Sequence, residues 1–328
     1  MEVPVRVWLL LVFCLFGCVN PDAPMDANDH TEIIFEVPKG STANGIGPAL
    51  TKQKLVPSAW KWKWFLRGED AACLKAGKFR LQPSMSMRQV LTTLCGVPLA
   101  DEVPLAILEG WRIRDIDAEL AAKGYIQPGE YRTLAESKAV DLPFPIQSKT
   151  LEGYLFPETY MVDADASKFN SKTFIERQLK TFHEHYLKVV ADPAGNRTLH
   201  EIVVMASLLE REEPTEAQRP IVAGILWKRL DNNWKLGVDA TSRYTLDNWS
   251  DRRAFLRNLR DPKDVYNTRL HAGMPPTAIG NPSFSALKAA ANPESSEFWY
   301  YLHDSSGVFH GGRDNAHHER NRKKYNVY

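Results

Sequence analysis

Residues 205–220 read MASLLEREEPTEAQRP, an apolar helical pattern that ends in Glu210, Glu212 and Glu213. A carboxyl held among apolar groups has its neutral form favoured and can serve as a general acid near neutral pH. The periodicity predicts a helix from Leu199 to Glu213 that is apolar nearly all round from Ile202 to Leu209 and therefore buried. Glu210 falls between Val203 and Ala206 on the wheel, with Ser207 one turn earlier beside it. Glu212 and Glu213 lie in the last turn before Pro214, where helices fray and water enters. Glu210 is thus the candidate acid, and the alternative is a partly buried glutamate paired with an arginine such as Arg219.

Other chemistries find little support. SLLE lacks the lysine of an S-x-x-K acyl-enzyme motif, and there is no G-x-S-x-G elbow. A two-carboxylate hydrolase needs a partner for the acid, and Asp239 in LGVDATSRY and Glu158 in LFPETY are the inviting ones. HEHY at 183–186 and HHER at 317–320 do not have the H-E-x-x-H spacing and read as polar helix faces, so no metal site is expected. Gly45-x-Gly47 follows a turn rather than a strand, which argues against a dinucleotide cofactor. No cofactor is expected. A net charge of +1 over 328 residues argues against nucleic acid as a partner.

The elements that would position these groups fall into an α+β pattern. A short apolar run, Val7 to Val19, follows Arg6 and is too short for a bilayer span of about 30 Å. It reads as the core of a signal peptide, residues 1–17, with LFGC resembling a lipobox and Cys18 as the lipid-anchor site. Plain secretion and a retained membrane anchor are the alternatives; each places the protein in the cell envelope, outside the cytoplasm. Residues 18–31 read as a flexible tether. Residues 32–98 give strand–helix followed by strand–helix, a small α+β unit, and residues 99–328 a larger mixed α+β domain. TEAQ at 215–218 is a capping box for a helix through Ile221, Ile225 and Leu230. Cys73 and Cys95 could close a disulfide in an oxidising compartment or remain two buried thiols.

In their order, EGYLFPETY, MASLLEREE, KRLDNNWKLGVDATSRY, YNTRLHAGMPPTAIGNPSFSALKAAANP and the terminal HHERNRKKY resemble the endolytic murein transglycosylases (MltG, or YceG-like, proteins) from about Ile33 to Tyr325. The resemblance implies internal, non-hydrolytic cleavage of peptidoglycan at the β-1,4 bond between N-acetylmuramic acid and N-acetylglucosamine, with one glutamate as acid and base. It assigns that role to Glu210 and implies a LysM-like small unit. Ser207, Asp239, Thr241, Tyr244, Tyr266, Asn267, Thr268 and Glu158 form the candidate substrate-binding set. As an alternative, the YNT residues at 266–268 shape a loop beneath the cleft. The implied partners are glycan strands, cell-wall synthases of the penicillin-binding class, and the membrane through the lipid anchor. Ala240 stands where the family usually has proline, and the family usually begins with a transmembrane helix. A non-catalytic glycan-binding lipoprotein and a water-using glycoside hydrolase are the competing functions.

Overall fold

The computed structural model describes residues 20–99, 101–189 and 197–327; the apolar run and Cys18 lie outside them. The chain divides into two compact units, residues 1–101 and 102–328. Both mix helices with two-stranded antiparallel sheets, so the fold is α+β. No helix among the described residues is long and apolar enough to cross a membrane.

In the first unit β1 (Ile33–Val37) pairs antiparallel with β2 (Gly77–Leu81), with Ile33 opposite Leu81 and Phe35 opposite Phe79. Phe35, Val37, Phe79 and Leu81 point inward and Ile34, Glu36 and Arg80 outward, the two-residue period of a half-buried ribbon. The connection holds two short helices, α1 (Gly47–Lys52) and α2 (Ala59–Phe65), where the sequence suggested a single one. Lys54 adopts a left-handed conformation, proline at 57 disfavours helix at the residue before it, and the chain restarts at the Ser58 cap. Trp62 of α2 is fully buried and donates its indole N–H to the Ala43 carbonyl at 2.7 Å. After β2, α3 (Met87–Cys95) begins with a Ser86–Gln89 capping box and stops at Gly96. Cys95 at its end forms a disulfide with Cys73, which resolves the alternative left open by the sequence.

The stretch expected to be a flexible tether is, from Asn20 onward, sewn to this unit. Arg88 donates its amide to the Pro21 carbonyl, Asp26 donates to Pro83, and Ser84 donates to Asp29. Arg88 also bonds Asp22 at 3.0 Å and Glu69 at 2.6 Å. The composition looked like a linker, but its backbone finds partners in the 83–88 turn.

The second unit begins with β3 (Glu102–Ala106), paired antiparallel with β4 (Thr159–Asp163). Between them lie α4 (Ile113–Ala122) and α5 (Glu130–Ser137). Two long helices follow, α6 (Ser171–Val189) and α7 (Leu199–Glu212). All eight residues from Ile202 to Leu209 are buried, so α7 runs through the core as expected. Next come α8 (Arg219–Asp231), the short α9 (Thr241–Tyr244), α10 (Arg252–Asn258) and α11 (Phe284–Ala291). A hairpin of β5 (Tyr300–His303) and β6 (Phe309–Gly312) and a polar helix α12 (Asn315–Tyr325) close the chain.

The buried alanines of α11 (Ala286, Ala289, Ala290 and Ala291) present little side chain, which suits a helix in the same core as α7 and α8. Gly224 of α8 allows the chain to pass at Glu294, whose carbonyl would lie 1.8 Å from any Cβ. The expected TEAQ capping box does not form. Residues 215–218 make a turn, α8 starts one turn later at Arg219 with Gln218 as an unbonded cap, and Pro220 sets its first turn.

Replacing Cys73 and Cys95 by alanine should lower the stability of the first unit by about 3 kcal/mol, the loop-closure value for a cross-link of this span. Denaturant unfolding followed with and without reductant measures it: reductant should shift the wild type and leave the variant unmoved.

Candidate active site

The three glutamates at the end of α7 go to three different environments. Glu210 is gripped. Its side chain is 8% exposed, and its Oε1 accepts from Arg219 Nη2 at 3.1 Å. Its Oε2 accepts from the Ser283 amide at 2.9 Å and the Ser283 hydroxyl at 2.5 Å. Arg219 is equally enclosed, giving further hydrogen bonds to the Glu213 carbonyl and to Ser283 and Ser285. This is the arginine pairing that the sequence offered as the alternative to a free acid. Ser207, one turn back, bonds the Ile279 amide at 3.0 Å and the Val204 carbonyl, so it fastens α7 to the 277–281 loop. That loop meets the Glu109-Gly110-Trp111 turn: Gly110 donates to Asn281 at 2.7 Å, and a Cβ on Gly280 would lie 2.4 Å from the Gly110 carbonyl. Burial and the nearby charge of Glu210 push the Glu109 carboxyl upward.

Glu213 is completely covered and bonds His303 at 2.7 Å. Glu212 is partly buried in the wall of a cleft of about 470 Å³. The expectation that both would sit in a frayed, wet helix end is corrected by the β5–β6 hairpin, whose Tyr301 and His303 cover the last turn of α7. Tyr301 donates its hydroxyl to Glu212 Oε2 at 3.1 Å. Burial pushes the Glu212 carboxyl above its ordinary value. The charge of Asp239 acts in the same direction, against the hydrogen bonds from Tyr301 and the Ala240 amide and the nearby His303. A neutral carboxylic acid beside a cleft can donate a proton.

The rest of the cleft is polar and aromatic. Asp239 pairs with Arg269 on one side. Trp234 is 39% exposed, stacks on Trp299 at 5.0 Å between centroids and meets Tyr300 edge-on at 5.5 Å. Arg229 is fixed by the Trp299 and Leu236 carbonyls, and His318 stacks on Tyr300 at 5.1 Å. Lys235 and Leu236 complete the floor and rim. Indole faces suit the apolar faces of sugar rings, while the charged groups suit hydroxyls, amides and carboxylates.

Of the substrate set expected from sequence, Asp239 is the member that lines this cleft. Thr241 and Thr268 are buried and bonded to each other at 3.2 Å, and Thr268 also receives the Val238 amide. Asn267 is fully buried and bonded to the Asn258 carbonyl and the Arg269 amide. Tyr266 bonds Thr277 at 2.8 Å, and Tyr244 packs on Tyr266 and donates to Glu152. These five residues are tied up in bonds and packing around the Asp239 segment and do not line the cleft. Glu158 lies just before β4, exposed, with His185 at 3.9 Å.

Sequence reasoning passed over Glu212, Arg229, Trp234, Tyr301 and Glu152. Trp234 in DNNWKLG carried a usable signal, an aromatic residue in an otherwise polar loop. Glu152 of EGYLFPETY is buried, accepts from the Ile113 amide at 3.1 Å and from Tyr244 at 3.0 Å, and is pushed up to about 8 by burial. Among the described residues no group of His, Cys, Asp or Glu is gathered to hold a metal ion.

With this arrangement in view, the family model described as "YceG-like family" matches residues 35–324. The chain belongs to the YceG-like family. Relatives in this family include the endolytic murein transglycosylase of Bacillus subtilis, 24% identical over 92% of this chain and 87% of that protein. The endolytic murein transglycosylase of Streptococcus pneumoniae (strain D39) is also 24% identical, over 91% of this chain but only 59% of its own length. A crystal structure of a YceG-like protein from Listeria monocytogenes shares the fold, with a TM-score of 0.55 and 23% identity over 88% of this chain and 99% of that one.

The buried Glu152 predicts a pH dependence. Its folded value, about 8, exceeds its ordinary 4.5, so the folded state holds a proton that the unfolded state releases between these values. Below pH 4.5 both states are protonated and there is no penalty; from 4.5 to about 8 stability falls as pH rises. Glu152→Gln should flatten that decline, recovering a few kcal/mol at pH 8 relative to wild type. Thermal unfolding from pH 5 to 9 would show it, and parallel curves for the two proteins would refute it.

Proposed function

We propose that this protein is an endolytic lytic transglycosylase of peptidoglycan. It cuts glycan strands internally between N-acetylmuramic acid and N-acetylglucosamine and leaves 1,6-anhydro-muramyl ends. The carrying observation is a partly buried glutamate, its carboxyl pushed above its ordinary value by burial, in the wall of an aromatic and polar cleft, in a family whose relatives bear that activity in their names. Such an acid protonates the glycosidic oxygen as the bond to the anomeric carbon breaks. The resulting carboxylate then takes the proton of the muramyl 6-hydroxyl as that oxygen attacks the same carbon. The acid is regenerated, no water is consumed, and one carboxyl serves both steps.

Two glutamates of the motif compete for this role. Family resemblance in the sequence favoured Glu210; the geometry favours Glu212. Glu210 has both oxygens occupied by Arg219 and Ser283 and acts as a structural clamp. Glu212 borders the cleft, has Tyr301 to orient it, and is held toward its neutral form by burial. Trp234 offers a platform for a sugar ring beside it, and Asp239 and Arg269 face the same space. The N-terminal segment with Cys18 serves, in this reading, to tether the enzyme to the membrane at the cell envelope, where synthases of the cell wall also work.

Glu212→Gln should abolish formation of anhydro-muramyl ends from purified peptidoglycan, read by mass spectrometry, while melting like the wild type. Glu210→Gln should instead lower stability by about 3 kcal/mol, because it uncouples a buried charge pair, and retain product formation under conditions where it is folded. The reverse outcome returns the acid to Glu210. Reducing ends in place of anhydro ends would indicate a water-using hydrolase, and no cleavage by the wild type a glycan-binding scaffold.

The rate should also fall with rising pH as Glu212 loses its proton, with the limb displaced above the ordinary 4.5. Tyr301→Phe removes a donor that favours the ionised form, so it should move the limb further up; an unmoved limb would exclude Glu212 as its source.

A further inference from the structure

Helix α2 carries the sequence AWKWKWF and sorts its tryptophans in an unusual way. Trp62, Phe65 and Leu66 point into the core of the first unit. Trp60 and Trp64, one helical turn apart and so on a common face, are 61% and 49% exposed. Lys61, Lys63 and Arg67 are exposed around them, and none has a carboxylate partner among the described residues. Two wet indoles bordered by three unpaired cations make a surface that a globular unit does not need for its own stability.

Its position narrows what it can meet. Pro21 and Trp64 line the same shallow groove of about 390 Å³, with Arg67 and Glu69 beside them. Pro21 is held there by the Arg88 amide, and Asp22 by the Arg88 guanidinium. In the sequence the apolar run ends at Val19, two residues earlier, and Cys18 lies three residues from Pro21. Three residues span at most about 10 Å. Whatever holds that run or an acyl chain on Cys18 in a bilayer therefore brings the headgroup layer within reach of Trp60 and Trp64. Indole rings favour the headgroup level of a membrane, and unpaired lysines and arginines are attracted to anionic lipid.

We propose that the Trp60–Trp64 face of α2, with Lys61, Lys63 and Arg67, is a contact for the anionic surface of a lipid bilayer. It fixes the orientation of the first unit at the membrane, adding a second attachment to the one made by the N-terminal segment. The inference is independent of the cleft and of which glutamate works in it.

The test uses the full chain in vesicles whose phosphatidylglycerol and phosphatidylcholine carry brominated acyl chains, which quench nearby tryptophan emission. Wild type is compared with a Trp60→Ser/Trp64→Ser variant of the same melting temperature; Trp8 and the other tryptophans give both a common background. Wild type should show quenching that the variant lacks. That difference should be lost in vesicles of phosphatidylcholine alone and in a Lys61→Glu/Lys63→Glu variant. Equal quenching of wild type and the tryptophan variant would overturn the proposal. So would a tryptophan variant that quenches like wild type but no longer sediments with insoluble peptidoglycan, which would make this face a glycan platform instead. Peptidoglycan cleavage in detergent should be the same for all these variants, so failure here and failure of the enzymatic reading are read separately.

Discussion

The salt bridge between Glu210 and Arg219 sets the geometry of the second unit. It is almost wholly enclosed, and enclosed charges are stable only when each finds enough partners to offset lost hydration. Here they do: the carboxyl takes the Ser283 amide and hydroxyl, and the guanidinium reaches Ser283, Ser285 and the Glu213 carbonyl. One ion pair thus joins the end of α7, the start of α8 and the cap of α11. Unlike the apolar packing of Ile202 to Leu209, it is directional, so it fixes how α7 is rotated as well as where it lies. That rotation presents Glu212 to the cleft and Glu213 to His303.

Much of this architecture was legible in the sequence because it depends on local signals. The apolar stretch of α7 and the strands of the first unit each declare themselves within a few residues. Short elements such as α5, α9 and α10 were missed, for they have too few turns to show a period. The fate of Glu212 was illegible for a different reason. Local rules treat the final turn of a helix as wet, and only the hairpin returning some 90 residues later covers it. In the same way a polar set such as Thr241, Asn267 and Thr268 looks like a binding surface until the structure shows each group already bonded to its neighbours.

Those inward-facing hydroxyls and amides have a use beside the cleft. They hold the backbone of the segment that supplies Asp239 to the cleft wall. The Thr241–Thr268 pair and the Asn267 bonds are buried, while Asp239, Arg269 and Trp234 line the cleft. Buried Glu152 extends the bracing. It bonds the Ile113 amide at the first turn of α4 and receives Tyr244, linking the two sides of the segment through one carboxyl.

Glu210 and Glu212 are two positions apart, which on an α-helix means nearly opposite directions. A clamp on one face and a cleft-lining carboxyl on the other are therefore tied to a single screw. Adding one amino acid between Leu209 and Glu210 would turn the downstream side chains by about 100° and aim both at the wrong walls. Exchanging a side chain that surrounds this helix leaves its rotation in place, whereas changing the number of residues in its last turn does not.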